Sequence, residues 1–275
     1  MLKTRVITAL LLLPLLLAAI FYLPQAGSIG YLAWIAFCGL IMVTASWEWQ
    51  RLSGMQGLIA KIYPLLTGLL FAVLCRLVYS PSLLLGLMLG SSCFWLFINP
   101  VWLNKKWPLA AAGNLNALLG WALLLPAGLA MIVLRGAGPW ALLAVLAIAW
   151  VADSAAYFAG KAFGKHKLAP KISPGKSWEG VFGGAVGVMI YVYFLPKQIF
   201  THGESLSLVY WLLIAAVLTA VSVMGDLLES LFKRQIGIKD CSNLLPGHGG
   251  VMDRVDSLLA ILPVAAAIYL AFYLF

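Results

Sequence analysis

Long apolar runs alternate with short polar ones along this chain, and the alternation produces nine runs. They cover 6–23, 29–47, 58–77, 82–98, 115–134, 140–158, 181–195, 208–228 and 258–275. A bilayer crossing needs roughly 20 mostly apolar residues, so the pattern predicts an all-α, polytopic integral membrane protein with about nine transmembrane helices. The third run carries Lys61 and Arg76 near its ends, where both can snorkel to the headgroups. The seventh is short, which makes eight crossings the alternative count. Glycine and proline within the runs are ordinary in membrane helices.

Composition agrees with the pattern. Hydrophobic residues make up 63% of the chain and charged ones 10%, with a mean hydropathy of +1.00. A soluble domain carries about 25% charged residues. The placement of charge adds topology. If the N-terminus is cytoplasmic, alternating loops put Lys3, Arg5, Arg51, Lys61, Lys105, Lys106, Lys161, Lys165, Lys167, Lys171, Lys176, Lys233, Arg234, Lys239 and Arg254 on the cytoplasmic side. Only Arg76, Arg135 and Lys197 fall opposite. This asymmetry is the positive-inside rule, and it predicts an N-terminus inside and a C-terminus outside. The net charge of +9 then belongs to one face, where it attracts anionic lipid and nucleotide phosphates; no nucleic-acid partner is needed to explain it. Lys3, Arg5 and the leucines after them resemble a signal peptide, but no clean small-x-small cleavage site follows, so the segment reads as a retained first helix.

The two halves differ in character. Residues 1–135 read as a transmembrane scaffold with few polar groups inside its helices. Glu48 and Arg51 end the second run and read as an interfacial ion pair. Trp102, Lys105, Lys106 and Trp107 read as an interfacial anchor. Cys38, Cys75, Cys93 and Cys241 lack CxxC spacing and read as buried apolar packing. Residues 136–275 read as the catalytic region. Of the nine acidic residues, only Glu204 falls on the far side; Asp153, Asp226, Asp253 and Asp256 all lie at or beside the cytoplasmic ends of their helices.

These acids are the candidates for chemistry. Asp153 sits in the apolar context AIAWVADSAAYFAG, where an ionised carboxylate costs energy unless offset. A metal or other cation is one partner for it and Lys161 is another. Asp226 faces Ser230 at helical spacing, and Glu229 faces Lys233; Asp226 is left without a cationic partner and reads as a metal ligand. Asp253 and Asp256, three residues apart, share one side of a helix. Two such carboxylates suit Mg²⁺, which takes hard oxygen ligands, although capping of the helix N-terminus accounts for either one as well. The turn of Gly247, His248, Gly249 and Gly250 can present backbone N–H groups to phosphate, or can be a plain turn. His248 can donate to a leaving pyrophosphate or simply brace that turn. Gly175-Lys176-Ser177 evokes a phosphate-binding P-loop, but Pro170 stands where the earlier glycine is required. Ser177 reads as a helix N-cap with Glu179 in the first turn, and His166 as a solvated member of a lysine-rich loop.

The run from Ser230 to Asp256 carries a longer signal. It contains Ser230-x-Φ-Lys233-Arg234, then Lys239-Asp240, then Pro246-x-His248-Gly249-Gly250-Φ-x-Asp253-Arg254-Φ-Asp256. This resembles, at every fixed position, the signature of the phosphatidate cytidylyltransferases (CDP-diacylglycerol synthases). The segment Ser173-Pro-x-Lys176-Ser177-x-Glu-Gly is similar to a second pattern of that family. The resemblance implies transfer of CMP from CTP to phosphatidic acid, giving CDP-diacylglycerol and pyrophosphate. It implies catalytic roles for Lys239, His248, Asp253, Arg254 and Asp256, to which the helix-position reading adds Asp226. It also implies substrate binding by Ser173, Lys176, Ser177, Ser230, Lys233, Arg234, Gly249 and Gly250. Mg²⁺ would be held by Asp226, Asp253 and Asp256, with Asp153 ligating or supporting a second cation. The expected setting is a bacterial-type inner membrane with the site facing the cytoplasm, and a homodimer is compatible with it. A CTP-dependent lipid-alcohol kinase is the alternative enzyme. An ion-coupled transporter fits less well, because the acids gather at one face. The CDP-alcohol phosphotransferase pattern D-G-x-x-A-R is missing.

Overall fold

The computed structural model describes residues 2–23, 27–195 and 207–274. Lys197 and Glu204, placed above on the far side, lie outside the described residues, as do the side chains of Lys3 and Arg5. The chain is an all-α polytopic membrane protein. Its helices are α1 (Leu2–Phe21), α2 (Gly27–Leu52), α3 (Gly57–Leu74), α4 (Pro81–Cys93), α5 (Asn99–Lys105), α6 (Asn116–Ala137), α7 (Pro139–Phe163), α8 (Trp178–Phe194), α9 (Leu208–Gln235) and α10 (Met252–Leu274). A π turn, Phe94–Ile98, joins α4 to α5 into one continuous rod.

Each of the nine predicted runs meets a helix. Among the described residues, seven helical stretches are long and apolar enough to cross a membrane; Leu10–Phe21 and Trp178–Phe194 are shorter apolar helices. Helix α6 is the most enclosed, with 72% of its apolar window buried, followed by α10 with 61%. Helices α2, α3, α4, α7 and α9 pack on this pair and α8 packs on α7 and α9, while large side chains such as Leu65, Phe97 and Phe194 stay exposed on the outside. Lipid is the solvent for those side chains, so an apolar residue in this chain can face either way. Cys93 shows it: Cys38, Cys75 and Cys241 are buried as expected, whereas Cys93 is exposed.

Helices α7 and α8 form the closest pair in the molecule. Gly183 and Gly187 of α8 lie where a Cβ would run into the Cβ atoms of Ala159 and Ala155 on α7. Small residues on both partners let the backbones approach, as is usual where van der Waals packing drives helix association in lipid. The loop between them, read from sequence as a lysine-rich loop, contains a two-stranded antiparallel hairpin, β1 (Lys167–Ala169) and β2 (Ser173–Ser177).

Long-range hydrogen bonds gather one set of helix ends together. Thr8 of α1 donates to the Pro246 carbonyl. Asn116, at the start of α6, donates to the carbonyls of Ser53 and Leu109, and Trp49 donates to Asn116. The Gln235 amide at the end of α9 accepts from Leu109 N–H and donates to the Trp107 carbonyl. Trp102 donates to Trp107, and Lys105 lies 5.6 Å over the Trp107 ring. The tryptophan-lysine segment expected to anchor the chain at an interface is therefore also fastened to α9. This polar end of the bundle carries the hairpin, the loop 236–251 and the start of α10.

Candidate active site

Two neighbouring features occupy the polar end: an open cavity walled by α7, β2, α8 and α9, and a buried ionic cluster between α9 and the start of α10. The cavity has a volume of about 490 Å³. Asp153, Asp226, Ser173, Lys176 and Ser177 all line it, so five residues singled out in the sequence converge here. Ala152, Ala156, Val181 and Val223 supply apolar wall. The space is amphipathic, polar where the loops close it and apolar along the helices.

Local rules place each of these groups. Ser177 has an extended backbone and its Oγ accepts the Gly180 N–H at 3.2 Å, the N-cap of α8 that the sequence predicts. That cap orients β2, which carries Lys176 into the cavity. Glu179 in the first turn accepts from His166 at 2.6 Å; the His166 side chain remains 80% exposed. Lys176 Nζ pairs with Asp226 Oδ2 at 2.6 Å, and Ser230 donates to Asp226 Oδ1 at 3.1 Å. The serine contact follows from helical spacing, but the expectation that Asp226 lacks a cation is corrected: its partner comes from a hairpin 50 residues earlier in the chain. Asp153 has no hydrogen bond or ion pair among the described residues. Lys161, the alternative partner for Asp153, instead lies 6.0 Å over the Tyr157 ring.

The buried cluster is built on Lys233. Its ammonium lies 2.7 Å from Glu229 Oε2 and 2.6 Å from Asp253 Oδ1. Asp253 Oδ2 accepts the backbone N–H groups of Cys241 and Gly250, at 2.9 and 2.7 Å. Both oxygens of Asp253 are thus engaged by the loop and by Lys233, close to the capping role weighed in the sequence. Cys241 Sγ donates to Glu229 Oε1 at 3.2 Å. Burial, then the Glu229 and Asp253 carboxylates, raise this thiol far above its ordinary range, so it serves as a neutral donor.

The glycine turn is shaped by what it packs against. Gly249 adopts φ +80°, and a Cβ there would meet Asp253 Oδ2. Leu245 N–H donates to the Gly249 carbonyl and His248 N–H to the Leu245 carbonyl, both at 2.8 Å. The Gly250 N–H is spent on Asp253, and a Cβ at Gly250 would run into the carboxylate of Glu48. His248 Nδ1 is buried without a hydrogen-bond partner among the described residues.

Glu48 is the functional residue that sequence reasoning missed. The expected ion pair with Arg51 is corrected: Arg51 stacks over the Trp47 ring at 5.0 Å, while Glu48 points inward and is fully buried. It accepts from Val251 N–H at 3.0 Å, from Met252 N–H at 2.6 Å and from Ser242 Oγ. A carboxylate from α2 thereby caps α10 across some 200 residues of sequence. Nothing local signals it; an acid at a helix end has many ordinary explanations.

The remaining predicted groups surround these two features. Asp256 accepts from Ser257 N–H at 2.6 Å, and its electrostatic neighbours are Glu229, Asp226 and Asp153. Gly225 precedes Asp226 at the crossing of α9 and α10, where a Cβ would come 2.6 Å from the Asp256 carbonyl oxygen. This tight crossing is what sets Asp226 beside Asp256. Arg254 is exposed and acts electrostatically on Asp153. Arg234 donates to the Ile172 and Ile238 carbonyls at 3.4 Å, tying the hairpin to the end of α9. Lys239 is exposed at the polar end.

Asp153, Asp226, Glu229, Asp253 and Asp256 thus meet Lys176, Lys233 and Arg254 in one region. Counted as ionised, these five carboxylates outnumber the three cations by two. Hard oxygen donors carrying that excess fit a divalent ion such as Mg²⁺. Among the described residues one group of three metal-capable side chains has its ligand atoms within 4.8 Å of one another, and it is a different one: Glu229, Cys241 and Asp253. Lys233 already supplies the cation there, and the protonated thiol is a poor ligand for a hard ion. The carboxylates outside that group are Asp153 and Asp226, which line the cavity, and Asp256 beside them.

A helical membrane bundle that gathers carboxylates and cations beside an amphipathic cavity has the make-up of an integral-membrane enzyme. The chain belongs to the Cytidylyltransferase family, whose model matches residues 3–272. It is 41% identical over 276 residues to a Phosphatidate cytidylyltransferase of Pseudomonas aeruginosa, covering 98% of this chain and 97% of that protein. Proteins of the same name from Brucella suis and Thermotoga maritima are 34% and 32% identical, again over 98% of this chain and covering 92% and 96% of theirs.

Proposed function

We propose that this protein transfers CMP from CTP to phosphatidic acid, giving CDP-diacylglycerol and pyrophosphate, at the cytoplasmic face of a bacterial inner membrane. The observation that carries the reading is the amphipathic cavity itself. Its polar end brings Lys176 and Ser173 of the hairpin against Asp153 and Asp226, and its walls are apolar. One substrate enters such a space from water and the other from lipid. The charge asymmetry of the loops supports a cytoplasmic location for this end.

A phosphatidate oxygen is already anionic, so the attack needs orientation and charge neutralisation more than a general base. That oxygen forms a bond to the α-phosphorus of CTP as the bond to the β-phosphate oxygen breaks, and pyrophosphate leaves with the electron pair. Lys176 is placed to bind phosphate by exchanging its contact with Asp226. Lys239 and Arg254, both exposed at this end, neutralise the leaving group. Asp153, Asp226 and Asp256 would hold Mg²⁺, with room for a second cation beside Asp153. When bound, the ion supplies charge neutralisation and alignment of the phosphates. Asp253, paired with Lys233, holds the loop that carries Lys239.

The test is an assay of purified protein with labelled CTP, phosphatidate and Mg²⁺, scored for lipid-linked cytidine and released pyrophosphate. Both products are expected. CDP as the nucleotide product would mean γ-phosphoryl transfer and would reject the reading.

A further inference from the structure

Farther along the same helices, away from the polar end, lies a second and wholly apolar cavity. Val145 and Ile148 of α7, Val192 of α8, Trp211 and Leu218 of α9 and Tyr269 of α10 help enclose it. Its lining follows that of the polar cavity along three helices. On α9, Leu218 lines the apolar slot and the next residue, Thr219, lines the polar cavity. On α7, Ile148 and Ala152 stand in the same relation one turn apart. On α8, the fully buried Val188 alone separates Gly184 from Val192 by a turn on each side.

Depth identifies the ligand class. At about 1.5 Å of rise per residue, Leu218 lies roughly 12 Å and Trp211 roughly 22 Å along α9 from Asp226. One leaflet is about half of the ~30 Å hydrocarbon core. A lipid whose phosphate rests beside Asp226 therefore ends its acyl chain between Leu218 and Trp211. The free space in the slot is only about 40 Å³, so an entering chain has to part α8 from α9, a looser contact than that of α7 with α8.

We propose that this slot receives the distal part of one acyl chain of the phosphorylated lipid substrate, with Leu218 at its throat and Trp211 at its floor setting the preferred chain length. The proposal rests on the reading of the polar cavity as the site of phosphate transfer. It assigns lipid selectivity to an interior track between helices, while the outward faces of α8 and α9 contact bulk lipid without selecting.

The test compares dioctanoyl with dipalmitoyl phosphatidate in mixed micelles, reading the ratio of kcat/KM for the long chain over the short. Leu218→Trp narrows the throat and should lower that ratio by about tenfold, the scale on which a hydrophobic pocket discriminates by a few methylenes. Trp211→Ala deepens the floor and should raise the relative use of acyl chains longer than those the wild type prefers; it carries the test should Leu218→Trp not fold. Leu213→Trp, at a position 57% exposed on the outer side of α9, should leave the ratio unchanged. An unchanged chain-length profile in the Leu218 and Trp211 variants, with normal product formation by the wild type, overturns the slot. No lipid-linked cytidine from the wild type with any phosphatidate overturns the functional reading instead, and the slot's ligand with it.

Discussion

Removing the Glu48 carboxylate should loosen the end of the molecule where the chemistry is placed, although Glu48 itself lines no cavity described above. Its two oxygens take the N–H groups of Val251 and Met252 and the hydroxyl of Ser242. In Glu48→Ala, two backbone donors at the start of α10 lose their acceptor. Leaving a buried donor unsatisfied costs about 1–3 kcal/mol each, and losing an N-terminal cap about 0.5–2 kcal/mol. Water entering the vacated space recovers part of this, so a net cost of ~3 kcal/mol is reasonable. At 1.36 kcal/mol per decade, that is roughly a 100-fold rise in the population with the start of α10 open. Glu48→Gln keeps one acceptor oxygen and turns an amide N–H toward a backbone N–H, so it should fall between wild type and Glu48→Ala. The assay is amide hydrogen exchange in detergent micelles, read at Val251 and Met252, alongside turnover. Protection at those two amides should fall by about two decades in the alanine variant, with CMP transfer falling in the same order. Unchanged exchange at Val251 and Met252 in Glu48→Ala would show that the carboxylate is not what holds this helix start.

Two further outcomes follow from the packing and charge around the site. Gly225→Ala places a Cβ against the Asp256 carbonyl oxygen and 3.1 Å from Ser257 Cα, both backbone atoms; overpacking there should cost about 1–3 kcal/mol and separate Asp226 from Asp256. A lower midpoint of thermal unfolding with loss of turnover is expected, whereas Gly86→Ala, which meets nothing within 4 Å, should change neither. Lys233→Met strips the cation from Glu229 and Asp253, whose side chains are 4% and 3% exposed, and should destabilise by about 3–5 kcal/mol. Lys176→Met removes a pair whose side chains are about one quarter exposed, so its stability cost should stay under about 1 kcal/mol while turnover drops. Thermal unfolding and initial rates measured side by side separate the two lysines; equal destabilisation by both substitutions would contradict the burial argument.

What could be read from the sequence follows the range of the forces involved. Hydropathy located the long helices, though not the seven-residue α5, because membrane insertion is decided over some 20 consecutive residues. The Glu229–Lys233 pair and the Asp226–Ser230 contact were legible because helical geometry fixes neighbours four apart. The Ser177 cap was legible because its signal lies within one turn. Signals of longer range were lost. Lys176 reaches Asp226 from a hairpin whose strands of three and five residues sit in a lysine-rich loop and carry no alternation. The choice between lipid and core for Cys93 could not be made from its type, since both surroundings are apolar. For Asp253, helix capping and metal ligation were both open; only the positions of Lys233, Cys241 and Gly250 show that its oxygens are engaged by the loop.

The same comparison changes what the first half of the chain is for. Its helices looked like scaffold because they carry few polar groups, and in water that inference would be sound. In a membrane bundle the buried polar groups have to be satisfied inside the protein; Ser46, Thr67 and Ser92 bond back into their own helices, while a few others reach distant segments. Glu48 of α2 closes the start of α10, Thr8 of α1 holds the Pro246 carbonyl, and Asn99 of α5 donates to the Met224 carbonyl two residues before Asp226. These three attachments end on the segment that carries Asp226, Asp253 and Asp256, while Trp49, Tyr63 and Asn116 tie the N-terminal helices to one another. The N-terminal helices therefore act as a clamp on the reactive end. A substitution among their buried polar residues should be felt first as altered geometry between α9 and α10, ahead of any general loss of membrane insertion.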